Sequence, residues 1–416
     1  MKQKFLSFLL GSLCLLLGLN SCTTDSDSEK NYTPRAIRLT AEQQQLSEKL
    51  HSYSIKLLSD IEKVNQEDTG LPGNTICSPL GTQMILSMIV NGVYKDEESD
   101  ILDYLGTDDV ELLNSLNMEL LKQLPFVDKK NIFTLSNALW INSFFNLKLN
   151  IDFNKIVTDN YQLHIQEDNF NDNNLQTLER INDWTSLMSN GVINSYLSEL
   201  NPNSLGIFLN ALYFKANWAD EYFSKEDTSS QPFFGQNATN DVEMMKSDFF
   251  LTRYSNEEKF EYSKISFGNE GFYMQIILPK EKYTPLDILT TISSTDLKDI
   301  NSKGDLVKLQ LSIPKFTLSS SINISKVFDK LGLSAINNAT FDMFENPVKG
   351  DVTYRQNNSF SIDEKGTEVA SVSSADIEFI APLYDEIKLS LNRPFIFFIR
   401  ESSTGTILLE GVINDL

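Results

Sequence analysis

SFSIDEKGTEVASVSSADIEFIAPLYDEIKLSLNRPF, residues 359–395, is the stretch that decides how this chain folds. Between Thr367 and Ala381 it contains neither proline nor glycine. Alternate residues from Thr367 are Thr367, Val369, Ser371, Ser373, Ala375, Ile377 and Phe379, all uncharged and mostly small at first. The intervening set, Glu368, Ala370, Val372, Ser374, Asp376, Glu378 and Ile380, carries every charge in the segment. A period of two with charge confined to one face is the pattern of a half-buried strand. Fifteen residues exceed the usual strand of roughly three to ten. Small inward side chains suit insertion between existing strands better than a pre-packed core. By pattern alone, an edge strand or a surface loop fits equally well.

Downstream, PFIFFIR, the turn ESSTG and TILLEGVI form a hairpin of two buried strands, residues 394–413. Upstream, strand-like runs lie at Phe133–Ile141, Ile207–Phe214 and Phe272–Leu278, with an amphipathic stretch at Leu178–Leu187 between the first two. Near the start, Thr40 and Gln43 have capping-box spacing. Leu46, Leu50, Tyr53, Leu57, Ile61 and Val64 then recur at steps of three and four, which predicts a long amphipathic helix. Ser78 followed by Pro79 reads as an N-cap with proline at the first helical position. The apolar run from Met84 to Val90 makes that helix deeply buried. Helices concentrate early and strands late, without repeats or a composition shift after residue 40, so the chain reads as one large α+β domain.

The first 22 residues read as an export signal: Lys2 and Lys4, then an apolar run ending in L-N-S-C at Leu19–Cys22. That ending resembles the lipobox of bacterial lipoproteins, which makes Cys22 the acylated first residue of the mature chain; an ordinary signal peptide is the alternative. Residues 23–39 read as a polar, acidic tether. The similarity implies an exported lipoprotein on the outer membrane or surface of a Gram-negative bacterium, held through its lipid. Beyond the tether only Cys77 remains, so no intramolecular disulfide is expected. A net charge of -22 repels phosphate backbones, and no basic stripe offsets it, which excludes nucleic acid as a partner.

No catalytic constellation stands out. The two histidines, His51 and His164, have no second histidine at helical spacing for a metal. His51 is expected at the edge of the first helix and His164 on a strand or loop. There is no nucleophile elbow, phosphate loop or dinucleotide fingerprint, so neither an enzyme nor a cofactor is expected.

The segment IDEKGTEVAS, Ile362–Ser371, resembles the hinge of the serpin reactive-centre loop. Other serpin-like pieces follow in order: Asn74–Pro79, Ile181–Trp184, Ser189–Ile193, Leu209–Trp218, Val242–Met245, Ile313–Phe316, Leu331–Leu333 and Asn392–Phe395. The resemblance covers residue 40 to the C-terminus. It implies a single serpin domain with a five-stranded central sheet, further sheets, about nine helices and an exposed loop at about 364–391. It assigns hinge roles to Glu364, Gly366, Thr367, Glu368, Val369, Ala370 and Ser371. Ser78, Asn210 and Gln356 fall in the shutter, and Trp218 in the breach. Three positions depart from the family pattern: Val369 replaces a small residue, Gly81 the second shutter serine, and Gln356 the shutter histidine. A Ser78–Asn210–Gln356 hydrogen-bond cluster is the expected substitute.

The implied function is suicide inhibition: a protease cuts the loop, is caught as its acyl-enzyme, and the loop inserts into the sheet. Counting seventeen residues from Glu364 places the scissile bond at Ile380–Ala381; counting back from Asn392 points nearer Leu383, and cleavage after Phe379 is a further option. Ile380 suits elastase-like enzymes, and Phe379 suits chymotrypsin-, subtilisin- or papain-like ones. No basic residue lies between Lys365 and Lys388, which argues against trypsin-like targets. The partner is then a target protease, and the chain is expected to be a monomer. The alternative is a non-inhibitory serpin acting as a surface binding or structural protein.

Overall fold

The computed structural model describes residues 33–193, 197–333, 339–366 and 384–416. Among them, nine α-helices accompany a ten-stranded, a five-stranded and a two-stranded sheet, the α+β architecture expected.

The first helix spans Ala41–Thr69, opened by the reciprocal Thr40–Gln43 capping box and closed by Gly70 in a left-handed conformation. The second, Pro79–Val90, starts from the Ser78 cap and is buried at all twelve positions. It lies behind the five-stranded sheet, whose order is Phe316–Asn323, Val352–Ile362, Gly206–Lys215, Ile132–Asn142 and His164–Asp168. The C-terminal hairpin pairs Phe395–Glu401 with Ile407–Ile413 inside the large sheet. Its apolar residues stand at the centre of the main core, which explains the unbroken hydrophobic runs in the sequence.

Residues 34–39, assigned to the tether by composition, belong to the domain instead. Arg35 N donates to Val127 O at 2.8 Å and Ile37 N to Ser403 Oγ at 2.9 Å, and Ile37 is buried. Both bonds are to residues distant in sequence, and composition holds no trace of them.

Two carboxyls are buried where the first helix meets the C-terminal hairpin. Glu62 accepts from Thr75 Oγ1 and, at 3.2 Å, from Asn414 Nδ2; Glu410 accepts from the Cys77 thiol at 3.3 Å. Burial pushes Glu62 up to about 7, against the pull of its two hydrogen bonds. Burial likewise drives Glu410 well above the carboxylate range, although Cys77 and Arg400 pull it down. A carboxyl with a raised pKa binds its proton more tightly in the folded chain. Its contribution is therefore whole below its ordinary 4.5 and is lost as the pH rises to about 7. For Glu62 that loss is about 3 kcal/mol. Glu62→Gln should thus raise the unfolding temperature at pH 8 while changing it little at pH 4.5. Calorimetry across that range checks this, and equal shifts at both ends would contradict it.

Candidate functional site

The site is a seam in the central sheet. Val352–Ile362 and Gly206–Lys215 run parallel as direct neighbours, paired from Val352↔Gly206 to Asn358↔Leu212. Each is antiparallel to its other neighbour. A parallel pair inside such a sheet is the arrangement into which one reversed strand could enter antiparallel to both sides.

At the top of the seam the chain reverses. Gly366 N donates to Asp363 O at 3.1 Å and the two residues form an antiparallel bridge, leaving Glu364–Lys365 as a two-residue turn. Gly366 takes φ +85, and a Cβ on it would lie 2.5 Å from Trp218 N, so geometry and space both demand glycine. Trp218 stacks on Phe267 with centroids 4.8 Å apart. It holds the turn through its indole N–H to Asp363 O at 3.0 Å and its backbone N–H to Lys365 O at 3.3 Å. Glu364 is buried and accepts from Lys315 Nζ and Thr228 Oγ1, both at 3.0 Å. Burial lifts its carboxyl, but the Lys315, backbone and Thr228 hydrogen bonds outweigh this and hold it below the usual range.

Halfway down the seam lies a row of amides. Asn137, Asn210 and Gln356 are in register on three consecutive strands and are all buried. Gln356 Oε1 accepts from Ser78 N at 2.8 Å, and its Nε2 donates to Ser78 O at 2.6 Å and Thr82 Oγ1 at 3.1 Å. Asn358 Nδ2 donates to Gln356 Oε1 at 3.0 Å and Ile76 O at 3.2 Å. The expected Ser78–Asn210–Gln356 cluster forms only in part. Gln356 joins Ser78 through the backbone, because the Ser78 hydroxyl caps its helix at Gly81 N. Asn210 turns instead to Asn137 Oδ1, at 2.7 Å. Among the described residues, Asn210 Oδ1 and Asn358 Oδ1 have no hydrogen-bond partner. Each such buried, unpaired oxygen costs about 1–3 kcal/mol.

Gly81 explains its own departure from the family pattern. A Cβ there would lie 2.1 Å from Asn210 Oδ1 and 2.8 Å from Gln356 Nε2, so the long glutamine and the glycine fit as a pair. Sequence reading missed Thr82, Asn137 and Asn358, which complete the row. Asn137 and Asn358 are polar residues at inward positions of strands, the one signal that could have found them.

Thr367, Glu368, Val369, Ala370 and Ser371, together with Phe379, Ile380, Ala381, Leu383 and the lipidation candidate Cys22, lie outside the described residues. His51 is held down to about 3 by burial first and then by Arg400 and Lys298, which leaves it neutral at pH 7. His164 is exposed on the edge strand His164–Asp168, beside Trp140 and Trp184.

The model of the family described as Serpin (serine protease inhibitor) matches residues 48–416. This chain is a serpin. Serpins are protease inhibitors, not enzymes. An uncharacterised serpin-like protein of Thermococcus kodakarensis is 28% identical over 83% of this chain and 82% of its own length. Serpin-Z10 of Arabidopsis thaliana is 26% identical over 82% of this chain and 91% of its own. The native-state structure of the thermophilic serpin tengpin superposes with a TM-score of 0.79, covering 92% of this chain and 97% of that one at 23% identity.

Gly81→Ala tests the packing of the amide row in this serpin. On an open helix such a change gains about 0.5–1 kcal/mol. Here the new methyl meets the Asn210 amide, and overpacking at about 1–3 kcal/mol or more wins. The native unfolding temperature should fall by several degrees in a thermal melt; an unchanged or higher value would contradict the packing.

Proposed function

We propose that this serpin is a trapping inhibitor of serine endopeptidases, and of cysteine endopeptidases that accept an aliphatic or aromatic residue. One observation supports this: the strand that forms one side of the parallel seam ends in the Asp363–Gly366 turn, where the chain reverses. The protease nucleophile adds to the carbonyl carbon of Ile380. The Ile380–Ala381 amide breaks, Ala381 leaves as a free amine, and an ester or thioester links Ile380 to the enzyme. Hydrolysis of that link by water would release the protease. Insertion of the segment from Thr367 onward competes with it by carrying the bound enzyme along the sheet and distorting its site.

The driving force lies in the ladders. One parallel ladder of seven pairs gives way to two antiparallel ones, each slightly more stable per residue. Fifteen residues from Thr367 to Ala381 reach about 50 Å at roughly 3.3 Å each. The uncharged inward set, Thr367 to Phe379, lets that strand enter without burying an unpaired charge. Ile380 suits elastase-like pockets, and Phe379 chymotrypsin- or subtilisin-like ones. On the same reading Cys22 is acylated and the inhibitor acts at the bacterial outer surface.

Incubation with elastase, and separately with chymotrypsin, should yield a complex that survives boiling in SDS and a released peptide beginning at Ala381. Thr367→Arg should be cut at the same bond without forming the complex. Clean cleavage of the unaltered protein with no complex for either enzyme would overturn the inhibitor reading in favour of a non-inhibitory serpin.

A further inference from the structure

We infer that the folded domain makes a membrane contact of its own: Arg35, Arg38, Lys122, Lys129 and Lys130, with Phe126 and Ile132 among them, form a surface that docks on an anionic lipid bilayer. This deepens the reading that places the chain at a membrane through Cys22, and it is independent of what the inhibitor traps. The sequence splits these cations between residues 35–38 and 122–130, so no basic stripe shows along the chain. The fold joins them. Arg35 N donates to Val127 O at 2.8 Å, next to Phe126. Arg38 N donates to Gln123 Oε1 at 2.8 Å, and Gln123 Nε2 donates back to Arg38 O at 3.1 Å, next to Lys122. All five cations are exposed. The helix Val110–Gln123 contributes only Lys122; the other four stand on the incoming segment and on the loop after the helix.

The acidic excess of the chain, 57 acids to 35 bases, is reversed here. Lys215, paired across the sheet with Ile132, adds a sixth cation. These cations stand among Glu42, Glu119, which lies 3.7 Å from Lys122 Nζ, and Glu270. Asp128 is buried, its carboxylate taken by Asn269 N at 2.6 Å and Asn269 Nδ2 at 2.7 Å. At physiological salt a surface charge acts over about 8 Å, so a bilayer docked here meets the cations while distant acids are screened. The apolar side chains select the partner. Phe126 is 63% exposed and Ile132 50%, one on each side of Lys129 and Lys130 along the chain. Cations around exposed apolar groups match a lipid headgroup layer, which offers phosphate to the first and acyl chains to the second. A soluble polyanion would pair the cations and leave Phe126 and Ile132 in water. The covalent chain points the same way. The compact unit begins at Pro34, one residue before Arg35, and eleven residues, 23–33, separate it from Cys22. Fully extended they span at most about 40 Å. A lipid on Cys22 therefore keeps this end of the domain near the bilayer; the acyl chains hold the molecule and the surface orients it.

The chain from Thr23 onward keeps every described residue and has no acylation site, so it isolates the surface. It should sediment with vesicles of equal parts phosphatidylcholine and phosphatidylglycerol but not with phosphatidylcholine alone, and high salt should release it. Arg35→Gln with Lys130→Gln should weaken that binding about 25-fold, at about fivefold for each cation. Phe126→Ser should weaken it severalfold without altering the salt dependence. Lys282→Gln with Lys349→Gln, which removes the same charge at exposed positions elsewhere, should leave it unchanged. All these side chains are exposed, so each variant should unfold at the parent temperature. Equal losses from the two double variants would reduce the contact to net charge and overturn the surface. Tighter binding to a soluble sulfated polysaccharide than to vesicles, with Phe126→Ser without effect, would overturn the lipid partner. No sedimentation with anionic vesicles overturns the inference while Cys22 can still be acylated. Failure of the full chain to incorporate labelled palmitate in a bacterial host overturns the anchor and leaves a vesicle-binding surface standing.

Discussion

The parallel contact between Val352–Ile362 and Gly206–Lys215 is the constraint on which the rest of the molecule depends. Each strand is antiparallel to its outer neighbour, and the only other parallel pair among the described strands of this sheet is at its edge, between Ile132–Asn142 and His164–Asp168. Hydrogen bonds of a parallel pair are slanted and slightly weaker than those of an antiparallel one. The chain leaves the upper end of Val352–Ile362 through a turn that Trp218, Lys315 and Thr228 all hold. The interior parallel junction of the sheet and this held turn therefore lie at successive points along one strand.

The amide row explains how Gln356 and Gly81 coexist. Gln356 reaches the backbone of Ser78 with both its oxygen and its nitrogen. That reach requires space behind the sheet, and Gly81 supplies it; any side chain there would collide with Asn210. Glycine at position 81 thus leaves room for both the Asn210 and the Gln356 amides. Asn210 and Asn358 each retain a buried oxygen without a partner among the described residues, a local cost to the fold.

Behind the sheet the core is less tolerant than its apolar content implies. The first helix and the C-terminal hairpin bring Glu62 and Glu410 into the interior, with Thr75, Cys77 and Asn414 as partners. Glu62 titrates near neutrality there. Stability on this side of the molecule is coupled to pH through these buried carboxyls.

Much of this was legible in the sequence because it is local. The Thr40–Gln43 box, the Ser78–Pro79 helix start and the hydrophobic strands of the hairpin depend on neighbours a few residues away. What the tertiary structure alone decided joins residues far apart in sequence. It includes the strand order, the parallel seam, the attachment of Arg35 to Val127 and Ile37 to Ser403, and the preference of Asn210 for Asn137 over Ser78. A periodic pattern states which face of a strand is buried. It cannot state which strand will stand beside it, because that follows from packing the whole chain around one core.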